Sequence, residues 1–210
     1  MHVLTRETGF RFDVASLRML HATCMANLIG EPGRFRNQEV TVTYSPGLQM
    51  KITRDDITED VIGFMVNLHA RWNNTDPFTL AALTLWEISR IHPFLDGNGR
   101  TARAAAQHVL FAKLGTWPRG SEPITQQIKI HSGEYLDMLR HADMTFIEGQ
   151  VDLGPLAEFL ARMLKAQLQS HRRAQKATFS ERALKMIPMV ATRLIRRWLR
   201  RFFTRPARRS

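Results

Sequence analysis

The stretch "HPFLDGNGRTAR", residues 92–103, decides how the chain reads. It holds a histidine, a carboxylate, two glycines around an asparagine, and two arginines. It follows "AALTLWEISRI" (81–91), an apolar run of buried-helix character, and leads into "RTARAAAQHVLFAKLG" (100–115), which is rich in helix formers and closed by Gly115. The unit is therefore helix, loop, helix. Gly97 and Gly99 permit backbone conformations closed to other residues and let a ligand approach the main chain. The loop enters a helix N-terminus, where leading N–H groups and the dipole favour an anion. Asn98 can offer its side-chain amide to the same anion. Arg100 and Arg103, three apart, share a helix face and can both reach a polyphosphate. Asp96 at the loop mouth suits Mg²⁺, which takes one or two carboxylates beside phosphate oxygens and water. His92 is the one group of the cluster able to take a proton near neutral pH. Together they fit attack of a hydroxyl on a nucleotide phosphate, with His92 as base. A polar interhelical turn with surface arginines is the competing reading, and "GNG" by itself does not separate the two. The stretch lacks the Gly-Lys-Ser/Thr of a P-loop, so ordinary NTPase chemistry is not indicated.

Outward from this stretch, the chain of 210 residues is long enough for a proper core, and 44% hydrophobic with 23% charged residues is ordinary for a globular protein. One cysteine, Cys24, excludes a disulfide framework and a cysteine-only metal cluster, and its place in an apolar pattern reads as a buried, inert thiol. The start "MHVLTRETGF" has no signal-peptide pattern, and no run approaches the 18 or so apolar residues of a membrane span. A cytoplasmic protein is expected.

The net charge of +11 is unevenly placed. Residues 171–210 hold 13 of the 30 Lys+Arg and one acid, Glu181, while residues 1–170 are near neutral. Two parts are expected, 1–170 as a folded domain and 171–210 as a basic tail. In the tail, Ile195, Trp198, Leu199, Phe202 and Phe203 recur at helical spacing opposite Arg193, Arg196, Arg197, Arg200 and Arg201. Four readings of this basic amphipathic segment (189–203) stay open: a membrane-surface anchor, a partner or intramolecular helix contact, an export signal of the type IV secretion kind, and, least favoured, a nucleic-acid contact.

Helical patterns are expected at 13–28 (capped by Asp13), 58–72, 77–91 (capped by Asp76 with Pro77 in the first turn), 132–143 and 153–170. Between the first two, Val40, Val42 and Tyr44 alternate with polar residues, "SPG" turns, and Leu48, Met50 and Ile52 alternate again, a β-hairpin signature. Trp72, Trp86 and Trp117 read as packing residues. His21, His69, His108, His131 and His141 lack metal-ligand spacing and read as surface or satisfied histidines.

"HPFLDGNGRTAR" resembles the signature of the Fic (filamentation induced by cAMP) family, with every fixed position present; "DPFTLAALTLWEISRI" and "GEPGRFRNQEVTV" resemble the flanking family segments, and the likeness covers about residues 10–168. It implies an all-α fold, a Fic-type helical bundle with a β-hairpin flap over the active site. It also implies a protein adenylyltransferase moving AMP from ATP to a Ser, Thr or Tyr hydroxyl of a target protein, as a toxin or effector. A same-fold enzyme with another nucleotide donor, or a non-catalytic Fic-fold binding module, are the alternatives. By the same likeness, His92 is the general base, Asp96 holds Mg²⁺, and Phe94 anchors the loop. Gly97, Asn98 and Gly99 form an anion hole, and Arg100 and Arg103 grip the phosphates of ATP. The flap residues Val40, Val42, Tyr44, Met50 and Ile52 dock the target as an added strand, and Tyr135 lies near the nucleotide base. The family's brake, Ser/Thr-x-x-x-Glu-Gly/Asn, pairs its Glu with the second motif arginine. Of the ten glutamates only Glu148 precedes Gly or Asn, and Met144 stands four before it, so the brake is absent from this sequence. An antitoxin supplying that Glu in trans, or an unrestrained enzyme, is expected.

Overall fold

A computed structural model describes residues 12–45, 48–52 and 57–185, with side chains for 12–41 and 57–172. The expected tail helix at 189–203 and the turn residues Pro46 and Gly47 lie outside the described residues. The described part is mostly helical. Helix α1 spans Val14–Cys24, α2 Ile57–Arg71, α3 Pro77–Ile91, α4 Asn98–Leu114, α5 Ile124–Ile130, α6 Ser132–Ile147 and α7 Gly154–Lys185. Strands β1 (Val40–Ser45) and β2 (Leu48–Ile52) pair antiparallel, Val40 opposite Ile52 and Val42 opposite Met50, as a two-stranded sheet.

Helix α3 is the hub. Every residue from 80 to 88 is buried, so the helix has no solvent face, as its near-continuous apolar sequence demands. It packs most extensively on α4, then on α7 and α2. Its start follows the expected chemistry: Asp76 Oδ1 accepts the Phe78 and Thr79 N–H groups at 2.9 and 3.0 Å, with Pro77 in the first turn. The polar atoms it buries are paired. Thr84 donates to the Leu80 carbonyl at 2.8 Å, and Trp86 Nε1 donates to Asp143 Oδ1 at 2.8 Å. Glu87 holds Arg90 at 2.6 Å, and the Arg90 guanidinium lies over the Trp86 and Phe146 rings. The other tryptophans sit nearer the boundary: Trp72 is half-buried, and Trp117 is exposed with its ring edge against Phe111.

Four expectations about elements are corrected. Helix α1 ends at Cys24 rather than at Leu28, which is exposed, because Met25 caps the helix and Asn27 turns the chain with φ 61°. Helix α5 was not anticipated; seven residues, "ITQQIKI", are too few to display a helical period. Helix α6 continues past 143 to Ile147. Helix α7 runs through Ser170 to Lys185, since residues 171–185 contain no Gly or Pro to stop it. No described helix is long and apolar enough to cross a membrane.

Candidate active site

The six-residue loop between α3 and α4 carries His92, Phe94, Asp96 and Gly97, and the first two turns of α4 carry Asn98, Gly99, Arg100 and Arg103. Helix α3 ends at Ile91, and His92 caps it with φ 52° and ψ 58°, a left-handed conformation that costs an L-residue roughly 1–2 kcal/mol. Something must hold it there. Phe94 next in line is fully buried, stacked on the His21 ring (centroids 3.7 Å apart, planes 3° apart) and tilted against Phe35. Asn98 is buried too, and its amide closes the loop: Oδ1 accepts the Phe94 N–H at 2.9 Å and Nδ2 donates to the Phe94 carbonyl at 2.7 Å. The side chain expected to donate to a bound anion thus also clasps the loop. One of its two amide N–H groups is committed to Phe94, and the second N–H and the Asn98 backbone N–H carry no further bond of this pair.

The two glycines differ in what their positions require. Gly97 has φ 80°, which favours glycine, and a Cβ there would meet Met25 Sδ at 2.4 Å, so the Met25 side chain would have to shift. Gly99 has ordinary helical backbone, and its missing side chain leaves room beside the Arg103 guanidinium, 3.3 Å from where a Cβ would stand. Gly97 is the N-cap of α4, and no side chain caps that helix. The leading N–H groups of α4 thus start a helix with its positive dipole end toward the loop.

His92 is half-buried. Burial pulls its imidazole below the ordinary histidine value; the Ser89 carbonyl opposes this, Arg36 adds to it, and Asp96 opposes it. Nδ1 lies 3.4 Å from the Ser89 carbonyl oxygen. Donation from Nδ1 to that oxygen leaves Nε2 as the acceptor. Asp96 is exposed, with Oδ1 accepting the Gly97 N–H at 2.6 Å. Arg100 is exposed, its Nη1 2.9 Å from Met25 Sδ, and Arg103 is half-buried. Cys24 is half-buried rather than buried; burial pushes its thiol up while Arg100 and Arg103 pull it down, with the net effect upward. Tyr135 is buried, its hydroxyl 3.4 Å from Ser89 Oγ.

Three site residues escape a sequence reading. His21 is buried; its Nδ1 accepts the Gly33 N–H at 2.8 Å and its Nε2 donates to the Asp96 carbonyl at 2.9 Å. This fixes a neutral imidazole, and burial keeps its pKa below the ordinary value against the opposing pull of Asp96. Met25 fills the space beneath Gly97, and Arg36 reaches the carbonyls at the end of α3. Contacts across 56 to 75 residues leave no local pattern in a sequence.

Of the flap residues, Val40 is half-buried and stands opposite Ile52 in the ladder; Val42 pairs with Met50. Tyr44 falls at a register irregularity between Thr43 and Ser45. The side chains of Val42, Tyr44, Met50 and Ile52 lie outside the described residues. Glu148, the one glutamate with a brake-like neighbour, caps the C-terminus of α6 and is exposed.

Residues 11–110, a little under half of the chain, match the Fic/DOC family. Among solved structures, the chain is similar to a Fic family protein from Desulfovibrio desulfuricans G20 (TM-score 0.59, 23% identity, 77% of this chain and 47% of that one). It is also similar to residues 134–508 of Fic-1 from Caenorhabditis elegans (TM-score 0.61, 22% identity, 80% and 45%). In sequence it is 29% identical over 128 residues to a Fido domain-containing protein from Dictyostelium discoideum, spanning 60% of this chain and 82% of that protein. It is 24% identical over 148 residues to the protein adenylyltransferase fic-1 of C. elegans, spanning 70% of this chain but only 26% of the nematode protein.

Proposed function

We propose that this chain is a protein adenylyltransferase. The observation that carries the reading is the placement of one imidazole, with Nδ1 turned to the Ser89 carbonyl, directly ahead of an α4 N-terminus that no side chain caps. In the reaction, a target Ser, Thr or Tyr hydroxyl oxygen attacks the α-phosphorus of ATP. His92 Nε2 takes the hydroxyl proton, the bond from the α-phosphorus to its bridging oxygen breaks, and pyrophosphate leaves. A base kept neutral by burial is ready for this at neutral pH, and positioned base catalysis is typically worth about 10²–10⁴-fold. The backbone N–H groups of Asn98, Gly99 and Arg100 hold the phosphates, and the Arg100 and Arg103 side chains grip the leaving end. Charge held by pre-set donors in this way needs no reorganisation as the reaction proceeds.

Asp96 is the residue that would hold Mg²⁺, and the donor set fits: a single exposed carboxylate, with no group of three metal-ligating side chains among the described residues, suits an ion that arrives with phosphates. The ion would supply charge neutralisation on the polyphosphate. The β1–β2 hairpin is read as the flap, which takes the target as a third strand through its open ladder. A bacterial toxin or effector role, restrained in trans by a partner's glutamate against Arg103, belongs to the same proposal. So does the open choice for the basic tail: a membrane surface, a partner, or export.

The deciding experiment incubates the chain with α-labelled ATP, Mg²⁺ and cell lysate, beside His92→Ala. The expected outcome is a labelled protein band that the substitution abolishes. A band that survives His92→Ala overturns the mechanism, and label from UTP, GTP or CTP but not ATP transfers the assignment to another donor.

A further inference from the structure

The segment joining α1 to β1 carries a guanidinium that the motif does not include. Arg36 is only 5% exposed. Its Nε donates to the His92 carbonyl at 2.8 Å, and Nη2 lies 3.5 Å from the Ile91 carbonyl oxygen. Its Nη1 donates to the Gln38 carbonyl at 2.7 Å, and its own backbone N–H donates to the Pro93 carbonyl at 2.9 Å. Ile91 and His92 are the last residue and the cap of α3, whose terminal carbonyls lack helical donors and form the negative end of the dipole. A planar fork of five N–H groups can serve two adjacent carbonyls and a third at once; a lysine ammonium, a single compact charge, cannot keep that geometry. The third carbonyl, that of Gln38, stands two residues before β1 begins.

We propose that Arg36 is a positioning residue, which locks the backbone of His92 and the root of the β1–β2 hairpin into one unit. The imidazole and the docked strand of a target thereby keep a fixed spacing. This rests on the adenylyl-transfer reading, because only a reaction that brings a second protein to the base needs the two tied together. The phosphate cradle is held by other means: the Asn98 amide on Phe94, and Met25 beneath Gly97. Losing Arg36 should therefore uncouple the steps. ATP still binds, but the hydroxyl no longer meets Nε2 in register. Misplacing a reacting group by about 1 Å can cost on the order of 10²-fold in rate.

The test compares full-length wild type with Arg36→Gln and Arg36→Lys. ATP affinity in Mg²⁺ is measured by calorimetry, transfer of labelled AMP into lysate protein at saturating ATP gives the rate, and an NMR titration follows the His92 imidazole. Affinity is expected to stay within about twofold, while the rate falls roughly 10–100-fold in Arg36→Gln and less in Arg36→Lys. The charges that face His92 are Arg36 from this segment and Asp96 from its own loop, with the Ser89 carbonyl on Nδ1. Removing the cation must raise the imidazole pKa in Arg36→Gln, and Arg36→Lys, which keeps the charge, must raise it less. ATP affinity and rate falling in parallel, with the His92 titration unmoved, would overturn the proposal and leave Arg36 a general scaffold residue. An inactive wild type would sink the transfer reading alone; the His92 titration in the two variants still decides whether Arg36 holds the base, and an unmoved titration overturns it.

Discussion

The Arg36 fork joins the His92 carbonyl to that of Gln38, just ahead of the hairpin, and the backbones of residues 92–98 and 40–52 are satisfied in contrasting ways. In the loop, almost every constraint comes from elsewhere in the chain. His21 holds the Asp96 carbonyl, Arg36 holds the His92 carbonyl, Met25 fills the space below Gly97, and the Asn98 amide pairs with both polar atoms of Phe94. In the hairpin, the ladder joins β1 to β2 and no third strand is present among the described residues. The loop thus fixes atoms, which the proposed proton transfer needs, and the hairpin presents strand edges, which the proposed docking by strand addition needs. The contrast divides the consequences of mutation into loss of the machine and loss of the handshake.

The largest effect should follow Phe94→Ala. The ring is fully buried between His21 and Phe35, and removing a buried Phe costs about 3–5 kcal/mol. Chemical denaturation should show that loss, and transfer should vanish with it. Gly97→Ala comes next: the positive φ costs roughly 1–2 kcal/mol, and the methyl collides with Met25, adding an overpacking cost of about 1–3 kcal/mol. Gly99→Ala is its control. There the nearest atom is the flexible end of Arg103, so stability should change little while ATP affinity drops, a difference that calorimetry beside thermal melting resolves. Equal destabilisation by both alanines would break the account of the loop. On the hairpin side, Val42→Gly should leave ATP binding and melting nearly unchanged but lower label transfer to protein about tenfold, on the order of the one or two kcal/mol that a docking side chain contributes. Unchanged transfer would remove the hairpin from the docking role.

The same contrast explains what a single sequence discloses. The helices on either side of the loop were legible because their apolar periodicity and caps are local: Asp76-Pro77 at one start, Gly115 at one end. The hairpin was legible from alternation. The motif stretch stood out in the sequence by its density of polar residues and glycines. What the sequence withheld is division of labour. Asn98 looked like an anion donor and is also a loop clasp; Gly97 and Gly99 looked alike, and only the first needs a left-handed backbone. His21 read as one more satisfied histidine, which it is, but its partners are Gly33 and Asp96, and Asp96 is 75 residues away. Helix α7 was cut short in the reading because its polar stretch after 170 resembles a tail, although backbone continuity needs only the absence of a breaker.

Acid should separate the two segments with the smallest and most selective effect. His21 and His92, one packed on the loop and one within it, both titrate below the ordinary histidine value, mainly because burial disfavours the charged imidazole. The folded chain therefore binds fewer protons than the unfolded chain between the folded pKa values and about 6.5. Stability supplied by the neutral rings is fully present above that pH and declines below it. Protonating His21 would also take away the acceptor that holds the Gly33 N–H. The hairpin residues 40–52 contain no histidine or carboxylate to respond. Hydrogen exchange at pH 5.5 and 7.5, corrected for the intrinsic pH dependence, should show protection falling across 92–98 at the lower pH and unchanged across 40–52. The transfer rate should hold from neutral pH to somewhat below 6.5 and then fall as His92 takes its proton. A rate that begins to fall above 6.5 would mean that burial does not govern the His92 pKa, and that the working base meets a more solvated or more anionic environment once ATP is bound.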